Sequence, residues 1–172
     1  LPLIGANIVD QPAMAERMIF EQLGRRPVMR WARLLTYHRL AALRHHQRRF
    51  EETADICQHI LSQPTTGPAA APLRAARSHL LLMLAEAHLC TGNVPGAYHA
   101  LDDLHRTKLS LTDALQRLAL QTRYALKIGD WAHALDHGRD KVQLAELMPP
   151  PQCGAMHAKI SINGCRWCCP CC

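Results

Sequence analysis

The thiol side chains of this 172-residue chain are crowded at its end, where five of the eight cysteines fall within the segment CRWCCPCC. Cys165 and Cys168 have the C-x-x-C spacing of a zinc knuckle, and Cys169, Cys171 and Cys172 follow closely. Structural zinc normally takes two such knuckles, so that four thiolates can reach tetrahedral positions, and the second knuckle is missing here. We therefore predict no defined metal site.

Lipid attachment and an irregular chain end are the alternative interpretations of this tail. A terminal Cys-Cys resembles the ends of doubly prenylated small GTPases, although nothing else in the chain resembles a GTPase. Palmitoylation of the cysteine cluster is the other form of lipid attachment to consider. The segment ISINGCRWCCPCC also abandons the helical pattern that precedes it. We interpret residues 150–172 as an irregular Pro/Cys-rich tail, either a disordered terminus or a truncated or alternative reading-frame end. A thiol, metal or lipid function of this tail is the third-ranked hypothesis.

The remaining polar residues do not form a catalytic motif. His45 and His46 are adjacent, so on a helix their imidazoles point about 100° apart and cannot chelate one ion together. The zincin motif, glycine-rich phosphate loops and nucleophile elbows are all missing from the sequence. Acidic residues such as Glu51 and Glu52 come as pairs typical of a solvated helix surface. We predict a protein that is not an enzyme and has no cofactor.

Basic residues are concentrated near the start of the chain. The formal net charge is +6, and the segment 25–49 contains eight arginines and no acid. Arg30, Arg33 and Arg44 fall within about 60° of one another on a helical wheel, and we predict a basic patch there. Such a patch favours anionic partners. Aromatic residues, which stack on bases, are not interleaved with these arginines. Binding of RNA or of an acidic protein through 25–49 therefore ranks second, as the alternative hypothesis.

The composition indicates one soluble helical domain. Hydrophobic residues make up 48% and charged residues 20%, and leucine and alanine outnumber the β-branched residues that favour strands. No apolar run is long enough to cross a bilayer, and LPLIGANIV is a poor signal peptide. Since cysteines outside the tail are sparse, we expect a cytoplasmic protein.

Proline and glycine divide the chain into helices with short turns. The pattern predicts an N-terminal helix over 11–24, followed by three pairs of helices at 26–47 with 48–64, 74–90 with 94–108, and 111–128 with 131–148. So short a turn makes the helices of each pair antiparallel neighbours. When the turns are aligned, Thr53, Ala97 and Ala134 share one position at spacings of 44 and 37 residues. We predict a helical-repeat domain over 1–149.

These pairs resemble the tetratricopeptide repeat family. The matching residues are Tyr37, Leu40, Ala41, Phe50 and Pro64 in the first copy, Leu84, Ala85, Gly92 and Ala97 in the second, and Gly129, Asp130, Trp131 and Ala134 in the third. The third copy departs from the pattern at Gln121 and Thr122, and the first at Arg44. The resemblance covers about residues 28–149 and implies a right-handed α-solenoid of antiparallel helix pairs, about seven helices in all.

The resemblance also implies a partner-binding groove lined by the first helix of each pair. Its positions fall on His38, His45, His79, Leu82, Glu86, Gln116, Ala119 and Arg123. Only Arg123 offers a donor comparable with those of the chaperone-binding members, so we do not expect a chaperone-tail binder. The segments on either side of TTGPAAAP, an insertion rich in helix-breaking residues, are also similar to the repeat region typified by subunit 12 of the TRAPP trafficking complex. The function implied is a non-catalytic protein-interaction scaffold within a larger complex, in vesicle trafficking.

Overall fold

The computed structural model describes residues 11–25, 30–64 and 71–147, and over these ranges the chain consists of helices and the turns between them, without a strand. It contains seven helices there, as the sequence predicts. They are α1 (Pro12–Gly24), α2 (Arg30–His46), α3 (Phe50–Leu61), α4 (Ala71–Thr91), α5 (Val94–His105), α6 (Leu111–Lys127) and α7 (Trp131–Glu146). The all-α prediction is confirmed, while the Cys-rich tail of 150–172 lies outside the described residues.

The start of α4 differs from its predicted position. The sequence pattern places this start at Arg74 because the preceding segment is rich in proline, whereas the helix begins three residues earlier, at Ala71. Pro72 then falls in the first turn, where its missing N–H would have no intrahelical partner in any case. Proline there begins the helix and does not break it.

Three turns share one backbone feature. Arg48, Gly92 and Gly129 have positive φ angles of 60°, 79° and 78°, the left-handed conformation that ends a helix. Each lies two residues before the next helix begins, and their spacings are again 44 and 37 residues. Of these three turns, only the first requires a residue with a side chain to adopt this conformation. The repeat seen in the sequence is therefore a repeat of backbone geometry.

The small residues that define the repeat are buried where the second helix of each pair meets its neighbours. Thr53 and Ala97 are completely buried, and Ala134 is nearly so. Side-chain caps fix the start of three helices: Asn93, Ser110 and Asp130 accept hydrogen bonds from backbone N–H groups three residues on. These caps satisfy donors that the first helical turn cannot.

Helix α4 is the centre of the packing. Each helix packs on the next in sequence, and in addition α2 packs on α4 and α4 on α6. The leucine-rich segment Leu80–Leu89 of α4 supplies much of the main core. A smaller cluster of Ile19, Leu40 and Leu43 joins α1 to α2. Helices α2, α4 and α6 thus form a series in which each contacts the next, an arrangement compatible with a helical repeat.

The last helix is covered on one side only. Ala134 is its one buried residue, while Trp131 is 71% exposed and Leu135 and Val142 are also exposed. These three apolar residues recur at helical spacing along one stripe. Within the described ranges, no helix is both long and apolar enough to cross a membrane.

Candidate functional site

A polar ladder crosses the series α2, α4 and α6. It consists of His38 and His45 on α2, His79 and Glu86 on α4, and Arg123 on α6, five of the residues that the resemblance assigns to a groove. His38 Nε2 lies 3.0 Å from His79 Nδ1. His45 Nε2 lies 3.1 Å from one carboxylate oxygen of Glu86, and Arg123 Nη1 donates to the other at 3.2 Å. The ladder thereby joins residues that are 41 and 37 positions apart in the chain.

Glu86 is the centre of this ladder. Its side chain is only 4% exposed, while those of His45 and Arg123 are 22% and 35% exposed. Burial alone would raise the pKa of the Glu86 carboxyl, but the hydrogen bonds and the electrostatic influence of His45 and Arg123 outweigh burial and hold the pKa below its ordinary value. The carboxylate is therefore ionised at neutral pH, as a buried acid with two oriented donors should be.

The two imidazoles at the other end of the ladder meet edge to face, with ring centroids 5.2 Å apart. A contact of 3.0 Å between two ring nitrogens requires one N–H and one free lone pair, so each ring must be in a suitable tautomer. Burial lowers the pKa of His38 to about 4, and the electrostatic influence of His79 and Arg39 acts in the same direction. Burial also lowers the pKa of His79, against the attraction of Asp113. Both rings are neutral at pH 7.

A cavity of about 720 Å³ lies beside the ladder, between α4, α6 and α7. Four of the groove residues predicted from the repeat alignment line it together, namely Glu86, Gln116, Ala119 and Arg123. Leu120, Thr122, Gly138 and Lys141 complete the lining. The cavity therefore combines apolar walls with the charged groups of Arg123 and Lys141, a composition typical of binding sites.

Two predicted residues lie elsewhere. The repeat alignment places Leu82 in the groove, but Leu82 is completely buried in the main core and has no surface to offer a partner. The helical wheel places Arg44 in a basic patch, but Arg44 is 6% exposed, and its guanidinium pairs with Glu16 at 2.8 Å and with Glu52 at 3.2 Å. Neither residue is therefore exposed in the way its predicted role requires. The N-terminal helix supplies one of the carboxylates from 28 residues away, a partner that a helical wheel cannot identify.

The rest of the basic patch is partly described. Arg33 is exposed, and its guanidinium lies 5.8 Å from the centre of the Tyr37 ring. The side chain of Arg30 lies outside what the structure describes. Of the predicted patch, only Arg33 is thus seen at the surface, and the patch is smaller than its helical-wheel position indicates.

The site also contains polar residues that the sequence patterns do not single out. Ser78 donates a hydrogen bond to Asp113 at 3.1 Å and extends the contacts between α4 and α6. Lys141 reaches the cavity from α7. Ser78 directly precedes His79, so the repeat alignment, which selects His79, misses Ser78 by one residue. Lys141 occupies a position that is apolar in the other two copies, and this difference is a signal for a polar role.

A second, smaller cavity of about 320 Å³ lies between α5, α6 and α7. Its lining includes Tyr98, Tyr124, His105, His133 and Asp130. Two of these groups already pair with each other, since His133 Nδ1 lies 2.7 Å from Asp130 Oδ2. Across the described parts of the chain, no three His, Cys, Asp or Glu side chains are arranged to hold a metal ion. The cysteines of the tail lie outside those parts.

The fold and the site define an all-α protein with serial helix packing, a polar ladder and an adjoining cavity. No protein-family model matches the chain, and neither a curated protein nor a solved structure is detectably similar to it.

Proposed function

We propose that this chain is a non-catalytic protein-interaction module of the tetratricopeptide-repeat type, a right-handed solenoid of antiparallel helix pairs within a larger cytoplasmic complex. The observation that carries the proposal is the cavity between α4, α6 and α7. Residues assigned to a partner groove by repeat alignment alone, Glu86, Gln116, Ala119 and Arg123, line one and the same concave surface.

The chemistry of the cavity supports binding more than catalysis. Glu86, its one acid, already accepts hydrogen bonds from His45 and Arg123 and is held ionised. A carboxylate with a lowered pKa, each of whose oxygens already accepts a hydrogen bond, is a poor general base. The cavity walls offer apolar area, the Gln116 amide and the Lys141 ammonium, which suit an extended segment or helix of another protein.

Site-specific crosslinking tests the proposal. A photoreactive amino acid is placed at Gln116 or Ala119 in the full chain, and at Asp136, an exposed position of α7 outside the cavity, as the control. After irradiation in cells, we expect the two cavity positions to capture the same discrete protein, and the control position not to capture it. The resemblance to the TRAPP repeat region makes vesicle-trafficking proteins the first to look for.

The captured protein is then produced and its affinity measured. Gln116→Arg, which fills the cavity with a charged side chain, should weaken binding at least tenfold, about 1.4 kcal/mol, while Asp136→Arg should leave it unchanged. Equal loss in both variants, or capture of RNA in place of protein, would contradict the proposal. Binding to RNA would also weaken steeply with salt.

A further inference from the structure

The contact between His38 and His79 joins two helices that are far apart in sequence. It brings His38 Nε2 to 3.0 Å from His79 Nδ1 between the middle of α2 and the middle of α4. As neutral imidazoles, one ring donates its N–H and the other accepts it. With one further proton on each ring, both nitrogens become donors and both rings carry positive charge. The same contact is then repulsive.

Water reaches the exposed ring of His79, whereas the ring of His38 is partly buried and its pKa is not raised by any acid among the described residues. Arg39 acts on His38 and the imidazole of His45 acts on His79, and both disfavour added positive charge. Among the described residues, Asp113 of α6 is the acid that acts on the pair, through His79, and it already accepts a hydrogen bond from Ser78. Several acids nearby are directed at other groups: Glu16 and Glu52 at Arg44, Glu21 at Arg17, Asp102 at Arg106, Asp103 at Arg77, and Glu86 of α4 at His45 and Arg123.

We propose that the His38–His79 contact is an acid-released latch, which holds α2 on α4 at neutral pH and separates the two helices when both imidazoles are protonated. The latch is independent of the partner-binding role proposed above. It is a conformational device that acts against the contact between His45 and Glu86, which also joins α2 to α4, and its release opens the ladder. Histidine contacts of this kind act as pH sensors because their charge changes in the mildly acidic range.

The direction and pH range follow from linkage. The pKa of His38 is about 4 in the folded chain and 6.5 when the group is free, so the separated state binds more protons. The contact is fully stabilising above pH 6.5, weakens as the pH falls below it, and loses its whole contribution near pH 4. At pH 4.5 the linkage relation gives an increase of about 80-fold in the separated fraction if His38 becomes fully solvated. With the ring only partly desolvated in the closed state, the increase is still about tenfold.

Hydrogen exchange of the full chain tests the latch. Exchange rates of backbone amides in α2 and α6 are measured at pH 7 and pH 4.5 and corrected for the intrinsic pH dependence. We expect protection of α2 relative to α6 to fall at least tenfold in the natural chain. His38→Gln combined with His79→Gln, which keeps polar side chains that do not titrate, should remove this fall. His99→Gln, at an exposed histidine of α5, should retain it.

Three results would overturn the latch. One is an α2 protection that does not change between the two pH values in the natural chain. Another is an equal fall in the double glutamine variant, because other groups would then be responsible. The third is parallel loss of protection in α2 and α6, which would mean that acid unfolds the whole domain and does not separate one pair of helices. A folded double variant, verified by circular dichroism at pH 7, is the condition for the comparison.

Discussion

Replacing Glu86 by glutamine tests the electrostatic role of the ladder most directly. The substitution keeps size and one acceptor oxygen but removes the charge between His45 and Arg123. Removing one partner of a fully buried ion pair costs about 3–5 kcal/mol. Since the Arg123 side chain is 35% exposed, water replaces part of the lost interaction, and we expect the free energy of unfolding to fall by about 2 kcal/mol. For a chain of this length that lowers Tm by about 4–8 °C.

Urea denaturation of a double-mutant cycle separates the pair interaction from other losses. The cycle compares Glu86→Gln, Arg123→Gln and the double variant, and we expect a coupling of about 1–2 kcal/mol. Asp140→Asn, at an exposed position of α7, is the control and should change stability by less than about 0.5 kcal/mol. Effects that add within about 0.3 kcal/mol, or a Glu86→Gln variant as stable as the control, would refute this reasoning.

The pH dependence gives the same prediction a second check. The pKa of Glu86 is lower in the folded chain than its ordinary 4.5, so its contribution is present above pH 4.5 and is lost as the pH falls through the folded pKa. The difference in stability between the natural chain and Glu86→Gln should therefore shrink as the pH falls below 4.5. A difference that grew below pH 4.5 would contradict the direction of this shift.

Four other substitutions or measurements test the packing. Arg48→Gly should stabilise the chain by about 1 kcal/mol in thermal unfolding, because glycine adopts the positive φ of this turn without strain. Gly138→Ala should also stabilise, by about 0.5–1 kcal/mol, since a helical alanine there meets open space. Gly96→Ala should destabilise by about 1–2 kcal/mol, because its Cβ would come within 2.9 Å of neighbouring side chains. Burial raises the pKa of the Cys57 thiol to about 12, so peptide mapping after alkylation of the folded chain should find Cys57 unmodified and label it only in denaturant.

The helices could be predicted from the sequence because their signals are local. Gly92 and Gly129 end helices through their own backbone freedom, and Asn93 and Asp130 cap the next ones within three residues. Alignment of these turns superposes the small residues that the structure buries in the core. Even Arg48, which lacks the glycine signal, falls in register with the two glycines.

The candidate site is harder to predict because its contacts join distant helices. The repeat alignment selects His38, His79, Glu86 and Arg123 as residues of one side, but spacing alone does not tell which of them touch. The burial of Arg44 depends on Glu16, whose helix lies outside the repeat. A helical wheel gives direction around one axis only, and the burial of a charged residue is decided by what another helix brings to it.

The central position of α4 has a consequence for synthesis of the chain. Helices α1 to α3 leave the ribosome first, yet the leucines that complete their core, from Leu80 to Leu89, belong to α4. Until those residues emerge, the apolar faces of α2 and α3 lack most of the surface that buries them. Incomplete helical domains of this kind are prone to aggregate. A pause in translation before α4 would therefore lengthen the interval in which the apolar faces of α2 and α3 are exposed.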